Sequence, residues 1–158
     1  VVVIDTVDLR SRAEAIRWYH SMDLGQGVLA KGINDPVEGV SRLRLPDLGG
    51  KTVLDIGAWD GAYSFEADRR GASRVLATDS YSWGGGGWGS KEGFELAREA
   101  LDSNVEDRTI DVFDLSPASV GTFDVVLFLG VLYHLRDPIG ALEHVASVTD
   151  ELAIVETE

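Results

Sequence analysis

From Lys51 onward the chain alternates between two hydrophobic periods. Five short runs read as strands: TVLDIG (Thr52 to Gly57), SRVLATD (Ser73 to Asp79), VEDRTIDV (Val105 to Val112), FDVVLFLG (Phe123 to Gly130) and LAIVET (Leu152 to Thr157). The fourth is apolar throughout, as a central strand buried on both faces should be. Helical spacing fills the gaps. One helix is expected from Ala62 to Arg70, closed by Gly71, and a second from about Lys91 to Leu101, with Ser90 as N-cap and Phe94, Ala97 and Leu101 on one face. A third starts at Asp137-Pro138, a cap followed by proline at the first helical position, and runs to about Val148. Strands alternating with helices predict an α/β protein with a doubly wound parallel sheet over residues 51–158.

The first fifty residues follow another pattern and are expected to form an N-terminal helical cap. Leu9, Ala13, Ile16 and Tyr19 or His20 recur at helical spacing from about Asp8 to Ser21, with Asp8 as N-cap. The opening VVVID reads as an early strand or arm, Asp23 to Pro36 as an irregular glycine-rich segment, and Val37 to Leu45 as a short helix. The pattern ends on a fifth strand whose outer edge has no partner in the sequence. An open edge is an aggregation hazard, so further C-terminal strands or a partner chain are expected to cover it.

Composition narrows the chemistry. Hydrophobic content of 44% and charged content of 26% are ordinary for a globular domain. No run of apolar residues is long enough to span a membrane, and no basic leader precedes the apolar start, so cytoplasm is the expected location. The absence of cysteine excludes disulfides, thiolate catalysis and cysteine-based zinc sites, and no metal site is expected. A formal charge of −13 repels phosphate backbones, and the arginines and lysines are scattered without a stripe.

The strand ends carry the candidate chemistry, because ligands of doubly wound sheets sit at the carboxyl ends of the strands. The first strand runs into Asp55-Ile56-Gly57-Ala58-Trp59-Asp60-Gly61. A dinucleotide fold wants a second glycine where Trp59 stands, so that backbone can approach a pyrophosphate. Trp59 blocks that approach, and Asp60 places a negative charge where phosphates would lie. NAD, FAD and ATP are therefore disfavoured, and a phosphate-free nucleoside bearing positive charge, such as S-adenosylmethionine, is favoured. Asp79, closing the second strand with Ser80 after it, has the position and the paired acceptor oxygens to hold two ribose hydroxyls. Asp111, or its neighbour Asp114, suits an adenine amino group, with Val112 and Phe113 against the ring.

These motifs resemble the class I S-adenosylmethionine-dependent methyltransferases over Thr52 to Glu156. DIGAWDG, the GGGGWGS loop and FLGVLYHLRDP look like the subgroup related to tRNA wobble-uridine methyltransferases and carboxymethyltransferases, as does WYHSMDLGQG (Trp18 to Gly27). The resemblance implies a Rossmann-like sheet of order 3-2-1-4-5, S-adenosyl-L-methionine as cofactor, and Trp59 as a family feature. It implies that Asp55 to Gly61 hold the methionine end, that Gly130 admits the reacting centre, and that Tyr133 and His134 face the transferred methyl. His134 would then be a candidate base; otherwise it bonds backbone and Tyr133 lies in the core. Trp59 either touches ligand or packs on the N-terminal segment. The loop Ser80 to Ser90, with two tryptophans among five glycines, is expected to be a substrate lid, Trp18 to His20 a roof, and Glu156 to face the acceptor. The expected acceptor is a small molecule methylated on oxygen or nitrogen. tRNA is the runner-up, disfavoured by charge, and would need a cation such as Arg136 for a carboxylated cofactor. A cofactor-binding subunit completed by a partner chain is the third alternative.

Overall fold

The computed structural model describes residues 4–35, 39, 43–84 and 89–157. Helix α1 (Thr6–Ala15) is capped by Asp5, whose carboxylate accepts the Val7 N–H, and it buries Leu9 and Ala13. The cap therefore lies three residues before the expected Asp8, and the helix stops short of Ser21. Ile16 turns extended with its N–H on the Ala13 carbonyl, and the Trp18 indole folds back to donate to the same carbonyl at 2.9 Å. The glycine-rich stretch is a small antiparallel ribbon, β1 (Met22–Asp23) and β2 (Leu29–Ala30), turned through Gly25, Gln26 and Gly27 at positive φ. Of the opening run expected to be extended, residues 1–3 lie outside the described residues and Thr6 onward is helical. The helix expected over residues 37–45 lies largely outside them too.

The remaining elements follow the predicted alternation. They are β3 (Thr52–Ile56), α2 (Ala62–Arg69), β4 (Arg74–Asp79), α3 (Glu92–Ala100), β5 (Glu106–Thr109), a 3-10 turn (Val112–Asp114), α4 (Pro117–Val120), β6 (Phe123–Leu129), a second 3-10 turn (Leu132–His134), α5 (Pro138–Ser147) and β7 (Thr149–Glu156). All five long strands are parallel, in the order β5-β4-β3-β6-β7. Counted from Thr52, this is the expected 3-2-1-4-5. Asp137 caps α5 through the Gly140 N–H at 2.9 Å, with Pro138 at the first position.

Alternation along the strands builds two cores. Val53, Val75, Ala77 and Leu127 face one side and pack with Phe65 of α2 and Phe94 of α3. Leu54, Ile56, Leu76, Val126 and Phe128 face the other and pack with Leu115 and with Val145 of α5. Leu9, Trp18, Leu24 and Val28 join the first of these cores, so the N-terminal segment is a layer of the same packing. Register places Ile56 opposite Thr78 and Phe128. The chain thus leaves β3, β4 and β6 at one edge of the sheet, where the topology switches direction. No helix among the described residues is long and apolar enough to cross a membrane.

Candidate functional site

At that edge lies a cleft of about 350 Å³. Ile56, Gly57 and Trp59 come to it from β3, Asp79 to Ser82 from β4, Ile110 to Val112 from β5, and Gly130, Val131, His134 and Leu135 from β6. Two features of the sequence force the first turn. Gly57 and Ala58 both donate to the Thr78 carbonyl, at 2.8 and 3.0 Å, which carries the β3–β4 ladder past the strand end. Gly57 then turns at φ +78°, and a β-carbon there would lie 2.4 Å from Val131 Cγ2. Only glycine satisfies both the angle and the contact.

Trp59 lines the cleft and also packs on the N-terminal segment. Its φ is +48°, its N–H donates to Asp79 Oδ2 at 3.1 Å, and its carbonyl accepts the Trp83 indole at 2.8 Å. Its ring stacks on Tyr19 with centroids 4.4 Å apart and planes 7° from parallel. Asp79 is buried, and its Oδ1 accepts the Ser82 N–H at 2.8 Å. Burial raises its carboxyl above the ordinary aspartate value. The Trp83 N–H and the Ser82 side chain bond to it as well, so a ligand hydroxyl has to share or replace one of its about four acceptor positions.

Asp111, and not Asp114, lines the cleft. It caps the 3-10 turn through Phe113 N–H at 3.0 Å and accepts the Ser80 hydroxyl at 3.1 Å, which ties the β4 and β5 loops together. Val112 forms wall, whereas Phe113 turns its ring edge-on to His144 outside the cleft. His134 lines the cleft. Tyr133 is 43% exposed and not core, and its ring centroid is 4.2 Å from that of His134.

Four predicted residues stand behind this wall. Asp55 is buried and accepts the Ser64 hydroxyl at 2.6 Å; burial pushes its carboxyl up to about 6. The Asp60 carboxylate does not present its charge to the cleft, because Oδ2 accepts the Tyr19 and His20 N–H groups at 2.6 and 3.0 Å. Burial pushes it, too, up to about 6. Ala58 is buried, and Gly61 sits under Phe65 and Phe94 as N-cap of α2. The cleft's described lining carries two acids, Asp79 and Asp111, and no lysine or arginine, with Asp55 and Asp60 buried behind it.

The expected lid is anchored in part: the Trp83 ring packs on Phe94 with centroids 5.0 Å apart, under the Lys91 ammonium at 4.9 Å. Trp88 lies outside the described residues. Of the expected roof, Trp18 is core, Tyr19 stacks on Trp59, and His20 meets the Tyr63 ring edge-on at 5.7 Å. Burial pushes His20 down to about 4, and its Nδ1 has no hydrogen-bond partner among the described residues.

Sequence reasoning missed Tyr63, Asn34 and Asp35. They line a second cleft of about 330 Å³ with Ile33, Gly39, Leu43, Leu129 and Glu156. No periodicity marks them, since they come together only when the N-terminal segment folds over α2 and the end of β7. Among the described residues no group of three or more histidine, aspartate or glutamate side chains could hold a metal ion.

Comparison with known proteins agrees with this geometry. A family model described as a methyltransferase domain matches residues 29–157. A tRNA U34 carboxymethyltransferase from Campylobacter hominis is 35% identical over 101 residues, covering 64% of this chain and 33% of that protein. A ubiquinone biosynthesis O-methyltransferase from Neisseria meningitidis serogroup C is 35% identical over 96 residues, 58% of this chain and 37% of that one. The chain thus spans about a third of the length of these curated relatives. Among solved structures, the N-terminal domain of EvdMO1, crystallised in the presence of S-adenosylhomocysteine and D-fucose, superposes with a TM-score of 0.69 at 26% identity. That match covers 93% of this chain and 62% of the other.

Proposed function

The chain belongs to the methyltransferase domain family, and from that premise we propose that it transfers the methyl group of S-adenosylmethionine to an oxygen or nitrogen nucleophile of a small-molecule acceptor. The observation that carries this reading is the cleft itself: strand-end acceptors without a cationic side chain, backed by buried carboxylates. Such a site repels phosphates and attracts a nucleoside that brings its own positive charge. Asp79 accepts the ribose hydroxyls, while Asp111 and Val112 bound the adenine. The turn from Asp55 to Gly61 holds the methionine end, with Trp59 shaping the wall and the Asp55 and Asp60 charges acting from behind. Gly130 leaves room for the reacting centre. When bound, the cofactor supplies a sulfonium-activated methyl whose leaving group needs no acid. The protein then has to align the nucleophile and exclude water, and His134 and Tyr133 stand at the end of β6 to border the reacting centre; the nucleophile's proton needs an acceptor as well.

Ligand-dependent thermal stabilisation tests the cofactor class. S-adenosylmethionine and S-adenosylhomocysteine are expected to raise Tm, and NAD or ATP at equal concentration to leave it unchanged. Stabilisation by NAD or ATP instead contradicts the reading.

A second reading, modification of tRNA at a wobble uridine, is favoured by the 35% identity to the carboxymethyltransferase. The charge of −13 weighs against it. A carboxylated cofactor would also need a cation beside the transferred group. Arg136 is exposed and is not among the described residues lining the cleft.

A further inference from the structure

The second cleft shares no described lining residue with the first, yet Leu129 of its wall is followed directly by Gly130 of the other. Gly130 lines the cofactor cleft, and its open face is approached by two polar groups: Tyr133 Oη is 3.7 Å, and Glu156 Oε2 3.8 Å, from the position a β-carbon would occupy. Glu156 also lines the second cleft, with Tyr63, Asn34 and Asp35. One carboxylate of the second cleft therefore reaches a residue that lines the first.

Resting on the methyltransferase reading, we propose that the second cleft seats the acceptor, a neutral polyhydroxylated molecule of the sugar class, and that Glu156 takes the proton of the hydroxyl that is methylated. The chemistry of the wall selects this class. The Glu156 charge faces the cavity with no lysine or arginine among its described lining residues, which disfavours carboxylates and phosphates, and Asp35 adds a second carboxylate to the wall. Each carboxylate accepts hydrogen bonds from hydroxyl groups, and the Asn34 amide both donates and accepts. Tyr63 remains a donor at neutral pH, because burial, reinforced by the charges of Asp55 and Glu156, raises its phenol to about 12. The apolar residues Ile33, Leu43 and Leu129 leave surface for the C–H face of a sugar ring.

The transfer balances without any further reagent. An electron pair of the acceptor oxygen forms the new C–O bond as the C–S bond breaks. The electron pair of that bond stays on sulfur, giving neutral S-adenosylhomocysteine, and the hydroxyl proton passes to the Glu156 carboxylate. Glu156 ends β7 one peptide from the β6 partner, since Gly130 N–H donates to its carbonyl at 3.1 Å. That bond fixes the Glu156 backbone beside Gly130, within side-chain reach of it.

The test begins with calorimetric titration of S-adenosylhomocysteine and continues with saturation-transfer NMR on the loaded protein. The probes are hexoses, the matching uronic acids and the matching hexose 6-phosphates. Signals from the hexoses alone, lost in Tyr63→Phe and Glu156→Ala, are expected. Glu156→Gln should retain S-adenosylhomocysteine affinity while the rate of hexose methylation near pH 7 falls about a hundredfold, the scale of general-base catalysis. Failure of S-adenosylhomocysteine to bind would overturn the methyltransferase reading, and this proposal with it. Binding of S-adenosylhomocysteine with no hexose signal, or with stronger signals from the acids or phosphates, would overturn the acceptor assignment alone. Unchanged turnover in Glu156→Gln would overturn the role given to Glu156.

Discussion

At Asp55, Asp60 and Asp79 the fold takes carboxylates out of water, and each gains proton affinity from burial against the opposing effect of the hydrogen bonds it accepts, with the Asp79 charge adding to the rise at Asp55 and Asp60. The consequence for stability has a definite sign. Asp55 moves from an ordinary 3.8 to about 6, so the stability it contributes is fully present below about pH 4 and lost as pH rises through 6. His20 works oppositely: lowered from 6.5 to about 4, it contributes stability above 6.5 that is lost as pH falls toward 4. Removing the Asp55 charge should therefore change the pH profile. Denaturant unfolding of Asp55→Asn, compared with the unaltered protein near pH 4.5 and 7.5, is expected to show a relative gain of about 2 kcal/mol at the higher pH. Parallel profiles would show that Asp55 is not held in the state described. Asp55 and Gly57 were legible in the sequence as a strand end and a required turn. The direction of Asp60 was not, because its partners, the Tyr19 and His20 amides, lie some forty residues earlier in the chain.

The N-terminal segment is held to the β3 turn by three kinds of contact: the Asp60 carboxylate on two backbone amides, the Tyr19 ring on Trp59, and the buried Trp18 in the core shared by α2 and α3. Asp60→Ala leaves those buried amides without an acceptor, a loss of order 1–3 kcal/mol. Hydrogen exchange should locate the effect. The Tyr19 and His20 amides are expected to exchange at least tenfold faster in the variant, while the amides of β6 keep pace with global unfolding. Unchanged protection at Tyr19 and His20 would contradict the clamp. Apolar runs and an Asp-Pro cap made the central strands and α5 readable in advance. The end of α1 was obscured because Trp18, at a plausible helical position, instead folds back onto the Ala13 carbonyl. The β1–β2 ribbon was hidden for a related reason: its two-residue strands are too short to show alternation.

Over the whole molecule, parallel strands with apolar residues on alternating faces fix the sheet order, and the sheet order places Gly57, Asp79 and Gly130 at one edge. The first cleft was readable because its residues follow directly from strand ends. The second cleft was not, since Asn34, Tyr63 and Glu156 come from three distant parts of the chain. The negative field at the first cleft is the property on which the cofactor assignment depends, and the carboxylate at its centre is Asp79. Calorimetric titration with S-adenosylmethionine tests this most directly, comparing the unaltered protein with Asp79→Ala after circular dichroism confirms that the variant is folded. Saturable binding that weakens at least tenfold in the variant is the predicted result, equivalent to about 1.4 kcal/mol or more. Equal affinity in the two proteins, or no binding by the unaltered one, would contradict the account.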